Sequence, residues 1–252
     1  MRRRFLLTTP LLLAAGKPPL AAVPIARLNL RWWKIRHHEK LAELKARKPA
    51  LIFLGDSITQ NWELDEPEPW ARFKPIWNRL YGARNAVNLG FSGDATSHLL
   101  WRMTNGELDN IAPRVAVILI GANNLGRLHW PADENILGIE TVVAETRRRL
   151  PRTKLLVLGV LPSIRSPWAD QQTATINAAL ARRYGGNAVP DVTYHDCGHI
   201  FRRGADTDPA QFYDPLQTPP EAPLHPTAQA QERMALDYEP VLARLLGERA
   251  VG

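Results

Sequence analysis

Five short apolar runs alternate with helical stretches along this chain, and that alternation constrains its fold more than any other feature. The runs fall at 50–54, 86–89, 115–120, 155–160 and 192–194; the helical patterns fall near 70–80, 96–103, 132–150, 167–184 and 226–246. Strands that follow one another through helices pair in parallel, and a parallel sheet is covered on both faces, so its strands read as continuous apolar runs. The expected fold class is α/β, a three-layer α/β/α sandwich around a mostly parallel five-stranded sheet. The 252 residues are ample for one core and short for two ordinary domains. In such sheets ligands bind beyond the carboxyl ends of the strands, so the turns after the runs are where chemistry is sought.

Charge is the next constraint. A formal +7 suggests a nucleic-acid partner at first sight, but Arg2, Arg3, Arg4 and Lys17 stand in residues 1–22 without an acid, so the rest carries +3. That is an ordinary surface, and no nucleic-acid partner is expected. The first 22 residues read as an export signal: three arginines, a short apolar run from Phe5 to Ala15, then Ala14-Ala15-Gly16 and Ala21-Ala22 as cleavage sites. The run is too short to span a bilayer, and Arg2-Arg3-Arg4-Phe5-Leu6-Leu7 resembles the twin-arginine motif. The expectation is a signal over 1–22, one domain over 23–252, a periplasmic or secreted location and no stable membrane span. A single cysteine, Cys197, excludes an internal disulfide.

The segment 27–48 reads as a helix whose apolar positions are Leu28, Trp32, Ile35, Leu41 and Leu44, with its many basic residues on a solvated face and His37-His38 at the surface. Residues 202–224, rich in Pro and Asp and aperiodic, read as a long loop of the kind that shapes a site; Asp206 and Asp208 fall within it.

Four turns carry chemical residue types. The first run leads into Gly55-Asp56-Ser57-Ile58-Thr59, a strand-to-helix turn that lifts Ser57 to the sheet's edge, where a hydroxyl can act as nucleophile. The second leads into Asn88-Leu89-Gly90-Phe91-Ser92-Gly93-Asp94, whose glycines let backbone approach a ligand. The third leads into Gly121-Ala122-Asn123-Asn124, where an amide N–H can face an oxyanion. Pro223-Leu224-His225-Pro226 opens the last helix, with Pro226 at its first position and His225 at its lip.

In this order the four blocks resemble the SGNH, or GDSL, hydrolase superfamily, the letters matching Ser57, Gly93, Asn123 and His225. The stretch from Asn88 to Met103, then Asn105-Gly-Glu-Leu-Asp109, with Trp33 and His37, is similar to the alpha subunits of intracellular platelet-activating-factor acetylhydrolase. The resemblance implies a flavodoxin-like sandwich and a serine esterase without metal or cofactor. In it Ser57 attacks the carbonyl, His225 moves the proton, and Ser57, Gly93 and Asn123 hold the oxyanion. It also implies substrate contacts from Asp56, Ile58 and Leu224, the last two shortening the acyl pocket toward acetyl, on a small-molecule, lipid or glycan ester, and a homodimer. The superfamily's usual Asp three residues before the His is replaced by Ala222. The expectation is a Ser57–His225 dyad oriented by a backbone carbonyl, with Glu221 and Asp214 as the alternative acids.

His195-Asp196-Cys197-Gly198-His199 mixes metal-ligand types, but three of them share one face only if the strand runs on through Gly198, so no metal is expected there. Two other functions compete with the exported acetylesterase: an envelope polysaccharide O-acetyltransferase using the same centre, and a degenerate domain that binds a glycan or partner.

Overall fold

The computed structural model describes residues 18–66, 68, 70–213 and 223–251. Strands β1 (Leu51–Gly55), β2 (Ala86–Gly90), β3 (Val115–Leu119), β4 (Lys154–Leu158) and β5 (Val192–His195) form one sheet in the order β2-β1-β3-β4-β5, every pair parallel. The expected three-layer class is what forms.

Strand periodicity divides the core in two. Ile52, Leu54, Val87, Leu89, Ala116, Ile118, Leu155 and Val157 face one side. There they meet α4 (Thr96–Arg102), α6 (Ala132–Arg149) and α7 (Pro167–Tyr184) through Leu99, Ile139, Val142, Ile176 and Leu180. The alternate residues Leu51, Phe53, Val115, Val117 and Leu156 face α3 (Phe73–Tyr81) and α8 (Ala228–Leu246) through Leu80, Tyr81, Met234, Tyr238 and Leu242. Burying each such side chain stabilises the fold by about 1.5–3 kcal/mol, which fixes the register of a sheet covered on both faces.

Helix α1 (Arg31–Arg47) departs from its expected orientation. Its buried positions are Trp33, His37, Lys40 and Leu44, a seven-residue repeat, whereas Leu28, Trp32 and Ile35 are exposed. The basic residues Arg31, Lys34, Lys45, Arg47 and Lys48 are solvated as expected, but Arg36 and Lys40 turn inward and both reach Glu63, at 2.8 and 2.6 Å. His37 is buried too, stacked on Trp33 with ring centroids 5.8 Å apart, and burial together with the Arg102 charge lowers its pKa to about 4. The sequence reading failed here because it ranked residues by hydropathy, while this seam is built from polar groups that pair across it.

Three further segments lie near expected element ends. The 3₁₀ turn Leu20–Ala22 packs into the domain: Ala21 is buried, its carbonyl accepts from Thr96 Oγ1 at 2.7 Å, and a Cβ on Gly138 would lie 2.8 Å from that oxygen. The expected boundary at residue 22 falls at the end of this turn; residues 1–17 lie outside the described residues. Residues 202–207 form a small hairpin of β6 (Arg202–Arg203) and β7 (Asp206–Thr207), and Asp208 caps the 3₁₀ turn Pro209–Gln211 while pairing with Arg203. Pro226 does not begin α8. Thr227 caps that helix through Oγ1, which accepts the Ala230 N–H at 3.1 Å, and Pro226 bridges Phe212 instead. Among the described residues no helix is long and apolar enough to cross a membrane.

Candidate active site

The chain leaves β1 for β2 on one side, then returns past β1 to β3 on the other, so the sheet changes direction at β1. Ser57 stands at the carboxyl end of that strand as the first residue of the short helix α2 (Ser57–Gln60). Asp56 caps it, accepting the Ile58 N–H at 2.9 Å. Helix α2 lies directly against the end of β2: a Cβ on Gly90 would come within 2.2 Å of the Gln60 nitrogen, so only glycine fits. Asn88 closes this junction, donating to the Thr59 carbonyl at 2.7 Å and accepting the Gly90 N–H at 2.8 Å.

His225 comes from the other end of the chain. Its Nε2 lies 2.7 Å from Ser57 Oγ, across 168 residues. Two backbone bonds hold the segment to residues 211–213, Tyr213 N to His225 O at 2.9 Å and Thr227 N to Gln211 O at 2.8 Å. Gln231, fully buried on α8, donates to the Ile58 carbonyl at 2.9 Å and so ties the histidine's helix to the serine's.

Gly93 and Asn123 complete the cluster. Gly93 adopts φ +73°, a left-handed turn that disfavours a side chain, and a Cβ there would meet Arg127 Nη1 at 2.6 Å. Asn123, on α5 (Ala122–Gly126), is buried and donates to the Asp94 carbonyl at 3.0 Å. The amides of Ser57 and Gly93 have no acceptor among the described residues. A hydroxyl and an imidazole in contact, with Gly93 and Asn123 on neighbouring strand-end turns, are the kinds of group that acyl transfer uses.

The expected substrate contacts Asp56 and Ile58 flank Ser57, which is itself buried. Asp56 is 0% and Ile58 1% exposed, the first serving as cap, the second packed in the core layer under α8. Burial pushes the Asp56 carboxyl up to about 7. Leu224 is half-buried next to His225. Asp214, Glu221 and Ala222 lie outside the described residues.

A buried ionic network supports the loop that carries Gly93. The Asp94 carboxylate is fully buried and accepts from Arg27 Nη1 at 2.9 Å, Trp33 Nε1 at 2.8 Å and Arg102 Nε at 2.8 Å. Arg102, itself fully buried, also donates to Glu107 and, at 3.1 Å, to the Gly55 carbonyl. Its guanidinium lies 3.9 Å from the Phe91 ring centroid. Sequence reasoning assigned Trp33, Arg102, Glu107 and Gln231 no role in the site. Their signal, a charged or amide side chain within an otherwise apolar helical face, is weak without the partner's position.

The chain belongs to the GDSL-like lipase/acylhydrolase family, whose pattern it matches over residues 53–233. The family, fold and site define a carboxylic ester hydrolase of the GDSL/SGNH type. Among curated proteins it is similar to human platelet-activating factor acetylhydrolase IB subunit alpha2, 34% identical over 197 residues, or 77% of this chain and 81% of that one. The bovine alpha1 subunit is 36% identical over 135 residues, 54% of this chain and 53% of its own. Among solved structures, a GDSL-like lipase from Bacteroides thetaiotaomicron shares the fold with a TM-score of 0.64 at 17% identity, covering 83% of this chain and 97% of that one. A carbohydrate esterase of family 3 from Talaromyces cellulolyticus does so at 0.57 and 18%, covering 78% and 97%. The expected periplasmic or secreted location does not stand: the curated relatives, the acetylhydrolase alpha subunits, are cytoplasmic proteins.

Proposed function

We propose that this chain hydrolyses short-chain carboxylic esters, acetyl esters above others, with Ser57 as nucleophile and His225 as general base. The carrying observation is the 2.7 Å contact between Ser57 Oγ and His225 Nε2 at the sheet's switch point. For the serine to donate, Nε2 must be the acceptor, so the ring proton belongs on Nδ1. Ser57 Oγ bonds to the ester carbonyl carbon as its proton passes to His225. The same proton then goes to the leaving alcohol as the ester C–O bond breaks. Water, deprotonated by His225, releases the acyl group and restores the serine.

The oxyanion is assigned to the N–H groups of Ser57 and Gly93 and to Asn123. The second amide hydrogen of Asn123 has only a long, 3.5 Å contact with Asp56 Oδ2, leaving it available to a developing charge. The acetyl preference rests on the similarity to the alpha1 and alpha2 subunits of platelet-activating factor acetylhydrolase. The third catalytic position is assigned to a backbone carbonyl at Ala222, so Glu221→Ala and Asp214→Ala should each keep more than roughly a tenth of turnover. A small-molecule, lipid or glycan alcohol fits this chemistry equally. A homodimer is the assembly this reading carries, measured by sedimentation.

The deciding experiment compares aryl acetate, butyrate and octanoate, with Ser57→Ala as blank. Turnover that falls with acyl length and vanishes in Ser57→Ala supports the reading. Turnover unchanged in Ser57→Ala, or rising with acyl length, refutes the nucleophile or the acyl preference respectively.

A further inference from the structure

A second cluster of reactive side chains lies outside the ester site and takes no part in its chemistry. Strand β5 ends at His195, and the chain turns through Asp196, whose Oδ1 accepts the Gly198 N–H at 2.8 Å, into the 3₁₀ turn Gly198–Phe201. An extended strand through Gly198 was the expected condition for bringing His195, Cys197 and His199 together. The turn does it instead, gathering them around Asp237 of α8. His195 Nε2 lies 2.7 Å from Asp237 Oδ2, and His199 Nε2 lies 3.3 Å from Asp237 Oδ1. One donor atom from each of His195, Cys197 and Asp237 lies within 4.8 Å of the other two.

We propose that His195, Cys197 and Asp237 bind a thiophilic divalent transition-metal ion, of which Zn²⁺ is the type, with His199 as the fourth ligand. The donor set argues the class. A thiolate, two imidazoles and a carboxylate match the borderline-soft zinc ion, whereas Mg²⁺ and Ca²⁺ take six or more oxygens. The dimensions agree as well. Zinc–ligand bonds of about 2.0–2.3 Å at tetrahedral angles separate ligand atoms by about 3.4–3.6 Å. The histidine–carboxylate pair at 2.7 Å must open, and the widest separation of 4.8 Å must close, each by about an ångström, which side-chain rotation supplies.

The cluster has little else to do. Cys197 is 1% exposed, so it presents no nucleophile to a substrate, and its sulfur makes a long, 3.8 Å contact to the Met234 carbonyl. Metal binding forms S–, N– and O–metal bonds. It releases the Cys197 proton to solvent and moves the His195 ring proton from Nε2 to Nδ1, with no change of oxidation state. The ion would tie the end of β5 to α8, the helix that follows His225.

The test uses the full chain, stripped with a chelator and titrated with Zn²⁺ and, as a spectroscopic probe, Co²⁺. The expected result is one ion per chain, tetrahedral cobalt absorption with a sulfur-to-cobalt charge-transfer band, and a Tm raised by about 5–10 °C at a hundredfold excess over Kd. Cys197→Ser should abolish the charge-transfer band and weaken zinc at least tenfold. Asp237→Asn should weaken zinc similarly, both variants keeping ester hydrolysis measured without metal. His195→Gln, at a partly exposed position, gives the same reading should the cysteine variant fail to fold. Cobalt bound without a thiolate band, binding only at millimolar zinc, or zinc affinity unchanged in these variants overturns the site. None of these outcomes bears on Ser57.

Discussion

Arg102→Met removes the centre of the buried network and gives the most quantitative test of how the ester site is held. The native guanidinium donates to Asp94, Glu107 and the Gly55 carbonyl, all fully enclosed. Asp94 would keep Arg27 and Trp33 at 2.9 and 2.8 Å, but Glu107 has no other partner among the described residues. Burial already pushes the Glu107 carboxyl upward against the Arg102 charge. Breaking one side of such a pair costs about 3–5 kcal/mol. At about 2–4 °C per kcal/mol for a domain of this size, the Tm should fall by about 6–20 °C, leaving the protein folded at room temperature. Asp94 presents the carbonyl that orients Asn123, so turnover of aryl acetate at 20 °C should also fall about tenfold or more, with KM little changed. Thermal melts by circular dichroism and steady-state hydrolysis measure both. The double variant Arg102→Met/Glu107→Gln, which removes both charges, should recover at least half of the lost Tm. A single variant within 3 °C of wild type, or a double variant worse than the single, would refute the assignment of stability to this pair.

Asn123→Ala should reduce kcat by about 10²–10³ while the melt stays nearly constant, and a loss below tenfold would remove it from the oxyanion role. Gly93→Ala places a Cβ at φ +73° and 2.6 Å from Arg127 Nη1. The left-handed turn costs about 1–2 kcal/mol and displaces the loop amide, so kcat should fall tenfold or more, and an unchanged kcat would show that this amide is not used. His37 and His98, both lowered to about 4 chiefly by burial, are neutral when folded but titrate near 6.5 when unfolded. Between those values the unfolded chain binds more protons, so their contribution is full above pH 6.5 and is lost as pH falls toward 4. Asp56, raised to about 7 from 3.8, opposes this over its own window, gaining stability as pH falls. Glu107, also raised by burial, opposes it too, so the sign is read from His37→Gln, whose Tm should drop less, or rise more, than that of the wild type as pH goes from 6.5 toward 4; identical pH profiles in the two proteins would refute it.

What the sequence made legible has a physical pattern. Strands β1 to β5 were readable because a parallel sheet buried on both faces leaves its residues no choice but apolar, and their carboxyl ends located Ser57, Gly93 and Asn123. The pairing of Ser57 with His225 came only from the resemblance, since no local rule joins residues 168 positions apart. Helix α1 was misread because Trp33, His37 and Lys40 are buried by what they bond to, while Trp32 and Ile35 are left outside. Pro226 was misplaced because a proline tolerates the first helical position, but the hydroxyl of Thr227 satisfies an unpaired amide and so takes the cap. The zinc-type cluster was discounted on strand periodicity, a rule that stops applying where β5 stops, at His195.

The misread helix α1 and the residues before it bear on the ester site. Trp33 reaches Asp94 from 61 residues away and Arg27 from 67, both from the segment before the first strand. The sheet delivers Ser57, Gly93 and Asn123 to one edge, but a strand end fixes a residue's position without fixing a loop's conformation. Gly93 needs its left-handed turn held against the relaxation that an unsupported loop would undergo, and the buried carboxylate of the next residue is what holds it. Three donors on one carboxylate make that anchor stiff, and two of them come from the N-terminal segment rather than the sheet. The ester site is therefore completed by α1 and the residues before it. It follows that Trp33→Phe, which keeps the stacking on His37 but deletes the indole N–H, acts on turnover through Asp94 and the amide of Gly93, more than thirty residues past the helix it sits in.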